Sequence, residues 1–240
     1  MKKTIIGNWK SNKTLEETLE WLEIVGPELV KKENLEISIA PQLSLLSLLD
    51  REIKNKEYEL VLSAQNVSPF EEGPYTGEVS AKSLAGMVKY VLVGHSERRK
   101  NFGEDNTLIN LKVKQCLQYG LTPIVCISDL NFSKETSEAI KNIEQNDLEK
   151  IVFMYEPPSA ISKPVGPVGV GEAAPIDEVL KMIKEIKKFS SQSRIFYGGS
   201  IKSNNVEIYL NNSEIDGVIP GSASLDPREF LKIIKNASHI

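Results

Sequence analysis

The feature that most constrains the fold is the regular alternation of short apolar runs with longer amphipathic stretches. The runs have the length of buried strands, and the stretches between them repeat apolar residues at helical spacing. The strands are predicted at 4–6, 37–40, 60–64, 90–93, 123–127, 151–155, 194–197 and 217–219. Strands that alternate with helices in this way form a parallel sheet.

Eight such units also suffice to close the sheet, so the predicted fold class is α/β, with a (β/α)8 barrel surrounded by helices. The 240 residues are close to the ~250 typical of this architecture. No shift in composition divides the chain, and we therefore expect one domain over residues 1–240. The alternative is an open doubly wound sheet, but no GxGxxG turn follows the first strand.

Several helix ends carry recognisable capping residues. Thr14 and Glu17 have the spacing of a capping box, Gly120 is suited to end a helix, and Asp226 is suited to begin the last one. Continuous helices are predicted over 104–119 and 133–146. The first helix is expected to bury a face made of Leu15, Leu19, Leu22 and Val25.

Composition excludes several classes of function. The net charge is −4, and the dispersed Lys and Arg residues form no basic stripe, so nucleic acid and membrane surfaces are poor partners. The two cysteines, Cys116 and Cys126, form no CxxC pair, which favours a reducing compartment over a disulfide framework or a zinc site. With neither a signal-peptide pattern nor an apolar run of ~20 residues, we expect a cytoplasmic protein.

Chemically useful residues follow five of the predicted strands. The carboxyl ends of barrel strands meet at one mouth, which is where barrel enzymes hold their active sites. The residues are Asn8 and Lys10 after the first strand, His95 and Glu97 after the fourth, Glu156 after the sixth, Gly198-Gly199-Ser200 after the seventh, and Gly221 and Ser222 after the eighth. They are expected to converge.

These residue types together fit proton transfer on a phosphorylated carbonyl compound. A carboxylate opposite an imidazole can remove a proton beside a carbonyl, and a fixed cation can stabilise the charge that develops. Gly/Ser turns let backbone N–H groups approach a phosphate. Each group alone has a plainer interpretation: Glu156 as a loop charge, His95 as a structural histidine, and Glu97 with Arg98 as an ion pair. No metal-ligand cluster is expected, because the other histidine is His239.

At this point a family resemblance becomes visible. The motifs Gly-Asn-Trp-Lys-Ser-Asn at 7–12, Ala-Gln-Asn at 64–66, Tyr-Thr-Gly-Glu-Val-Ser at 75–80, Val-Gly-His-Ser-Glu-Arg-Arg at 93–99, Tyr-Glu-Pro at 155–157, Tyr-Gly-Gly-Ser at 197–200 and the 216–225 segment resemble those of the triosephosphate isomerase family. They occur in the family's order. The resemblance extends over essentially the whole chain.

The resemblance implies a TIM barrel that interconverts dihydroxyacetone phosphate and glyceraldehyde 3-phosphate without a cofactor, in glycolysis and gluconeogenesis. It implies that Glu156 is the general base, His95 a neutral electrophile, Lys10 the stabilising cation supported by Glu97, and Asn8 a substrate-orienting residue. It implies phosphate contacts at Ser162, Ser200, Gly221 and Ser222. The helix expected to begin at Ser96 agrees with a neutral His95, because its positive end disfavours imidazolium.

Two loops carry further implications. In the family, the loop at 157–174 is a lid over the phosphate, and the loop at 66–77 forms a homodimer. This chain lacks the family's hinge tryptophan and has Ser162 where a glycine is usual. One alternative to the triose phosphate reaction is the same chemistry on a four-carbon ketose phosphate, for which the reshaped lid is the indication. A second alternative is a non-catalytic phosphate-binding barrel.

Overall fold

The computed structural model describes residues 2–128, 131–157 and 171–239. Its strands form a closed parallel barrel in sequence order, and the last strand pairs with the first. The strands are β1 (Lys3–Asn8), β2 (Leu35–Ala40), β3 (Val61–Ala64), β4 (Tyr90–Val93), β5 (Thr122–Ile127), β6 (Val152–Tyr155), β7 (Arg194–Tyr197) and β8 (Gly217–Val218). The predicted (β/α)8 barrel is thus confirmed.

Helices in the described ranges connect the strands around the outside of the barrel. They are α1 (Leu15–Val25), α2 (Leu46–Asn55), α3 (Ala81–Leu84), α4 (Ser96–Phe102), α5 (Asn106–Gln118), α6 (Phe132–Ala139), α7 (Gln145–Leu148), α8 (Ile176–Lys187), α9 (Val206–Leu210) and α10 (Pro227–Asn236). Thr14 and Glu17 form the predicted capping box of α1, and Asp226 caps α10. Within the described residues, no helix has the length and apolar character needed to cross a membrane.

The helix predicted over 133–146 is wrong, because the structure divides that stretch into α6 and α7. Asn142 takes a left-handed conformation with a φ of 59°, which cannot continue a helix. The side-chain amide of Asn110 in α5 donates to the carbonyls of Ala139 and Lys141 just where α6 ends. This contact comes from a distant part of the chain, so local periodicity does not reveal it.

The helix predicted over 104–119 begins later than expected. Asp105 is the N-cap of α5, and its side chain accepts a hydrogen bond from the backbone N–H of Leu108 at 2.8 Å. Glu104 therefore lies outside the helix, where its buried carboxylate forms ion pairs with Arg98 and Lys112.

The buried face of α1 also differs from the prediction. Leu15 is 52% exposed, whereas Trp21 is buried. The Trp21 ring lies between those of Trp9 and Phe230, with centroid distances of 4.9 and 5.5 Å, and its indole N–H donates to the carbonyl of Ser224. Because a buried tryptophan contributes more apolar area than a leucine, it sets the rotation of the helix.

Apolar side chains fill the barrel and the space around it in two layers. Along β6, Val152 and Met154 point into the barrel, and Phe153 and Tyr155 point towards the helices. This alternation is the ordinary two-residue period of a strand. Cys126 lies in the inner layer and Cys116 in the outer one, and both thiols are free and buried.

A polar network lines the end of the barrel opposite the predicted active site. The hydroxyl of Tyr90 donates to Glu36 Oε1 at 2.5 Å, and Lys89 Nζ lies 2.6 Å from Glu36 Oε2. Arg194 donates to the hydroxyls of Tyr90 and Thr4. Burial alone would raise the pKa of Glu36, but the hydrogen bonds from Lys89 and Tyr90 outweigh it and hold the pKa below its usual value.

We predict that Glu36→Gln lowers the free energy of unfolding at pH 7 by about 1–2 kcal/mol, because a charge-assisted hydrogen bond is lost. A carboxyl whose pKa is depressed by folding stabilises above its unfolded pKa of about 4.3 and loses that contribution as the pH falls through the folded pKa. The difference between variant and wild type should therefore shrink below about pH 4. Urea unfolding at pH 7, 5 and 3.5 measures it, and a constant difference would contradict this assignment.

Candidate active site

Three buried polar side chains from separate barrel units meet at the carboxyl end of the strands. Asn8 is the last residue of β1, His95 is the N-cap of α4 after β4, and Glu156 directly follows β6. Parallel strands place their carboxyl ends at one mouth of the barrel. The structure thus brings together residues that are far apart in the sequence.

His95 and Glu156 are in direct contact. The distance from His95 Nε2 to Glu156 Oε1 is 3.0 Å. The backbone N–H of Glu97 donates to His95 Nδ1 at 3.3 Å, and that of Ser96 donates to Glu156 Oε2 at 3.4 Å. Because Nδ1 accepts a hydrogen bond, the imidazole proton is placed on Nε2, facing the carboxylate.

The pKa values of this pair depend on their contact. Burial lowers the pKa of His95, but the negative charge of Glu156 opposes burial and leaves that pKa raised. Burial raises the pKa of Glu156, and the contacts with His95 and Ser96 leave it lowered. While the two groups are in contact, the pKa of His95 is shifted upwards, although the helix alone would lower it. The charge of the neighbouring carboxylate outweighs the effect of the helix dipole.

Lys10 is held in a strained backbone conformation at the same mouth. Its φ is 52°, a value that costs a non-glycine residue about 1–3 kcal/mol. Its backbone N–H donates to Asn8 Oδ1 at 3.1 Å, and its carbonyl accepts from Gln65 Nε2 at 2.8 Å. Its ammonium lies 2.6 Å from Glu97 Oε1. Glu97 therefore pairs with Lys10, whereas the plainer interpretation of the sequence paired it with Arg98.

Gln65 is a supporting residue that is not among the site residues predicted from the sequence. Its amide donates to the carbonyls of Lys10 and Ala40, both at 2.8 Å, and so ties the Lys10 segment to the end of β2. Gln65 directly follows β3. The strand-end rule that selected His95 and Glu156 would also have selected this residue.

The two Gly/Ser turns lie at the same mouth. A Cβ atom on Gly199 would come 2.3 Å from the hydroxyl oxygen of Tyr197, so the turn after β7 requires glycine there. Ser200 is buried in this turn, and its carbonyl accepts from Asn205 Nδ2 at 3.0 Å. Gly221 borders Lys10: a Cβ atom there would lie 3.7 Å from Lys10 Cε.

The second turn is completed by a short 3-10 helix over Ser222–Ser224, whose last residue donates its backbone N–H and hydroxyl to the carbonyl of Gly221. Ser222 therefore begins this helix directly after Gly221, the residue that borders Lys10. The predicted phosphate residue Ser162 and most of the predicted lid at 157–174 lie outside the described residues.

A cleft of about 290 Å³ opens beside the buried pair. Its lining includes Lys10, Gln65, His95, Glu97 and Phe102, so the predicted site residues share one cleft with an exposed aromatic ring. Within the described residues, no group of three His, Cys, Asp or Glu side chains is arranged to hold a metal ion.

The loop at 66–77 projects an aromatic pair and is anchored by buried charges. The rings of Phe70 and Tyr75 stack at 4.3 Å and are about two-fifths exposed, at 39% and 40%. At the base of the loop, Lys112 Nζ donates to Asn66 Oδ1 at 2.7 Å and also forms a buried ion pair with Glu104. The loop thus has a fixed base and an exposed apolar tip.

Comparison with known proteins agrees with this arrangement. Residues 3–237 match the family described as triosephosphate isomerase. The triosephosphate isomerase of Mesomycoplasma hyopneumoniae strain 7448 is 38% identical over 248 residues, which cover 99% of this chain and 100% of the relative. Those of Prochlorococcus marinus strain NATL1A and Caldanaerobacter subterraneus are 36% and 37% identical, with at least 96% of each chain covered. The chain belongs to the triosephosphate isomerase family.

Proposed function

We propose that this chain interconverts dihydroxyacetone phosphate and D-glyceraldehyde 3-phosphate through an enediolate. Membership of the family supports the reaction, an intramolecular aldose–ketose isomerisation. The observation that carries the residue assignment is the 3.0 Å contact between Glu156 Oε1 and His95 Nε2 in the same mouth as Lys10. No cofactor takes part in this proposal.

Glu156 is the base in the proposed mechanism. It removes the proton from the carbon next to the carbonyl, and the electron pair moves onto the carbonyl oxygen, where His95 Nε2–H and the Lys10 ammonium stabilise the charge. His95 then moves a proton between the two oxygens, and Glu156 returns its proton to the neighbouring carbon. Atoms and electrons balance without an external acceptor.

Substrate entry changes the environment of the base. The substrate carbonyl takes the place of Glu156 at His95 Nε2, so Glu156 loses a partner that lowers its pKa and stays buried. Burial without that partner raises the pKa of the carboxyl, which favours proton abstraction near neutral pH. Asn8 orients the substrate and, through the Lys10 backbone, the cation.

The phosphate is proposed to lie at the turns around Ser200, Gly221 and Ser222. Gly221 lies next to the Lys10 side chain, which supports this position. The Lys10 ammonium would then face both the phosphate and the developing oxyanion. Ser162 stays a predicted contact. Parallel assays on three- and four-carbon substrates separate this function from the two alternatives that the sequence left open, an isomerase of four-carbon ketose phosphates and a non-catalytic barrel.

The cellular setting is part of the same proposal. We infer a role in glycolysis and gluconeogenesis and a cytoplasmic location, in keeping with two free, buried thiols. A homodimer is proposed in which the tip of loop 66–77 of one copy enters the cleft of the other. The exposed Phe70–Tyr75 stack and the exposed ring of Phe102 beside that cleft support it.

We predict that Glu156→Gln lowers kcat on glyceraldehyde 3-phosphate by about a thousandfold, because an amide cannot accept the carbon-bound proton. KM should change little. A coupled assay measures both constants. Glu36→Gln, the same substitution at the opposite end of the barrel, serves as the control and should retain wild-type kcat. A kcat for Glu156→Gln within tenfold of wild type would refute the assignment.

We predict that Gln65→Leu lowers kcat/KM by about tenfold, because the loss of its hydrogen bonds lets the strained Lys10 segment relax. The matched control is Gln42→Leu. The Gln42 amide borders the same cleft and also donates to two backbone carbonyls, those of Asn12 and Lys13, but it makes no hydrogen bond to Lys10. Equal losses in the two variants would show that Lys10 geometry is not what Gln65 maintains.

We predict that Tyr75→Asp weakens dimerisation at least a hundredfold, because a charge would be buried in an apolar contact. Sedimentation velocity across a dilution series measures the dissociation constant. Val30→Asp, which introduces the same charge at a residue that is 67% exposed, should leave it unchanged. If Tyr75→Asp sediments as wild type does, loop 66–77 is not the interface.

A further inference from the structure

Two tyrosines hydrogen-bond the backbone of Ala174, shortly before α8 begins. The backbone N–H of Ala174 donates to the hydroxyl of Tyr197 at 2.9 Å, and the hydroxyl of Tyr209 donates to the carbonyl of Ala174 at 2.6 Å. All three residues are buried. Both the backbone N–H and the carbonyl of Ala174 are therefore held in place. Ala174 lies where the chain that follows Glu156 returns to the barrel.

The two tyrosines also contact each other. Their rings stack with centroids 4.4 Å apart and planes 14° from parallel. Since a carbonyl can only accept, the bonds run from the Tyr209 hydroxyl to the Ala174 carbonyl and from the Ala174 N–H to the Tyr197 hydroxyl. Burial raises the pKa of Tyr209, which keeps its hydroxyl a donor.

The tyrosine pair lies against the proposed phosphate turn. The Tyr197 hydroxyl occupies the space that a Cβ atom on Gly199 would need. Tyr197 ends β7, and Gly199 and Ser200 form the turn that follows it. A shift of the Tyr197 ring therefore shifts the turn. Tyr209, which lies outside this strand and turn, stacks on that ring and also hydrogen-bonds Ala174, whose N–H donates to the Tyr197 hydroxyl.

We propose that Tyr209 is a positioning residue for phosphate binding, acting through Tyr197 and Ala174 on the turn that contains Gly199 and Ser200. This inference rests on the proposed function. Neither the chemistry at His95 nor that at Glu156 depends on Tyr209, because those residues follow β4 and β6, whereas Tyr209 lies in α9. The expected effect is on affinity rather than on the chemical step.

The test is Tyr209→Phe, which keeps the ring stack and removes the hydroxyl. We expect KM for glyceraldehyde 3-phosphate and the dissociation constant of 2-phosphoglycolate to rise about fivefold, the loss corresponding to one hydrogen bond. We expect kcat to stay within twofold, since an interaction made equally before and during the reaction changes KM alone. Hydrogen exchange of the peptide spanning 171–175 should quicken by a similar factor.

Tyr90→Phe is the matched control. It removes an equally buried hydroxyl that donates at 2.5 Å to Glu36, at the opposite end of the barrel. We expect it to lower Tm as Tyr209→Phe does while leaving KM, analogue affinity and exchange at 171–175 as in wild type. A Tyr209→Phe variant that matches Tyr90→Phe in all these readouts would overturn the inference.

The two proposals fail in different ways. If the wild-type protein neither converts triose phosphates nor binds 2-phosphoglycolate, the proposed function itself is wrong. If wild type does both and Tyr209→Phe binds the analogue equally tightly, the function stands and the role of Tyr209 is wrong. A fall in kcat without a change in KM would also refute a role in positioning the phosphate turn.

Discussion

Closure of the barrel between its first and last strands is the constraint on which the rest of the structure depends. The joining ladder pairs Thr4 with Gly217 and Ile5 with Val218. A Cβ atom on Gly217 would come 2.6 Å from the carbonyl oxygen of Thr4, so the strands can approach only because that residue is glycine. This approach sets Lys10, from the first unit, beside Gly221, from the eighth. The site exists in its observed form because the sheet has no free edge.

The two ends of the barrel use polar groups in opposite ways. At one end, Glu36, Tyr90 and Arg194 form a network that stabilises the fold. At the other, a strained Lys10 and a buried His95–Glu156 pair concentrate groups whose arrangement a substrate can alter. Enzymes commonly accept such local strain where chemistry occurs, and the surrounding packing compensates for it. One end of the barrel thus carries a stabilising network, and the other carries the proposed active site.

Much of the fold and of the candidate site could be predicted because the signals are local. Strand periodicity, the capping box at Thr14 and the rule that strand ends converge need no distant contact. Two of the predictions that were wrong depend on partners far away in sequence: Asn110 at the break after α6, and Trp9 and Phe230 around Trp21. The position of Gln65 directly after β3 could have been read from the sequence, whereas its contact with Lys10 is visible only after the barrel closes.

The position of the two cysteines has a consequence for observing the protein at work. Burial raises the pKa of Cys116 to about 12 and holds that of Cys126 well above its usual value. Only thiolates react readily with alkylating reagents, so the native molecule resists labelling. Cys116 lies between strands and helices and Cys126 inside the barrel. The labelling rate of Cys116 would therefore report how fast the layer between strands and helices opens, and that of Cys126 how fast the interior of the barrel opens.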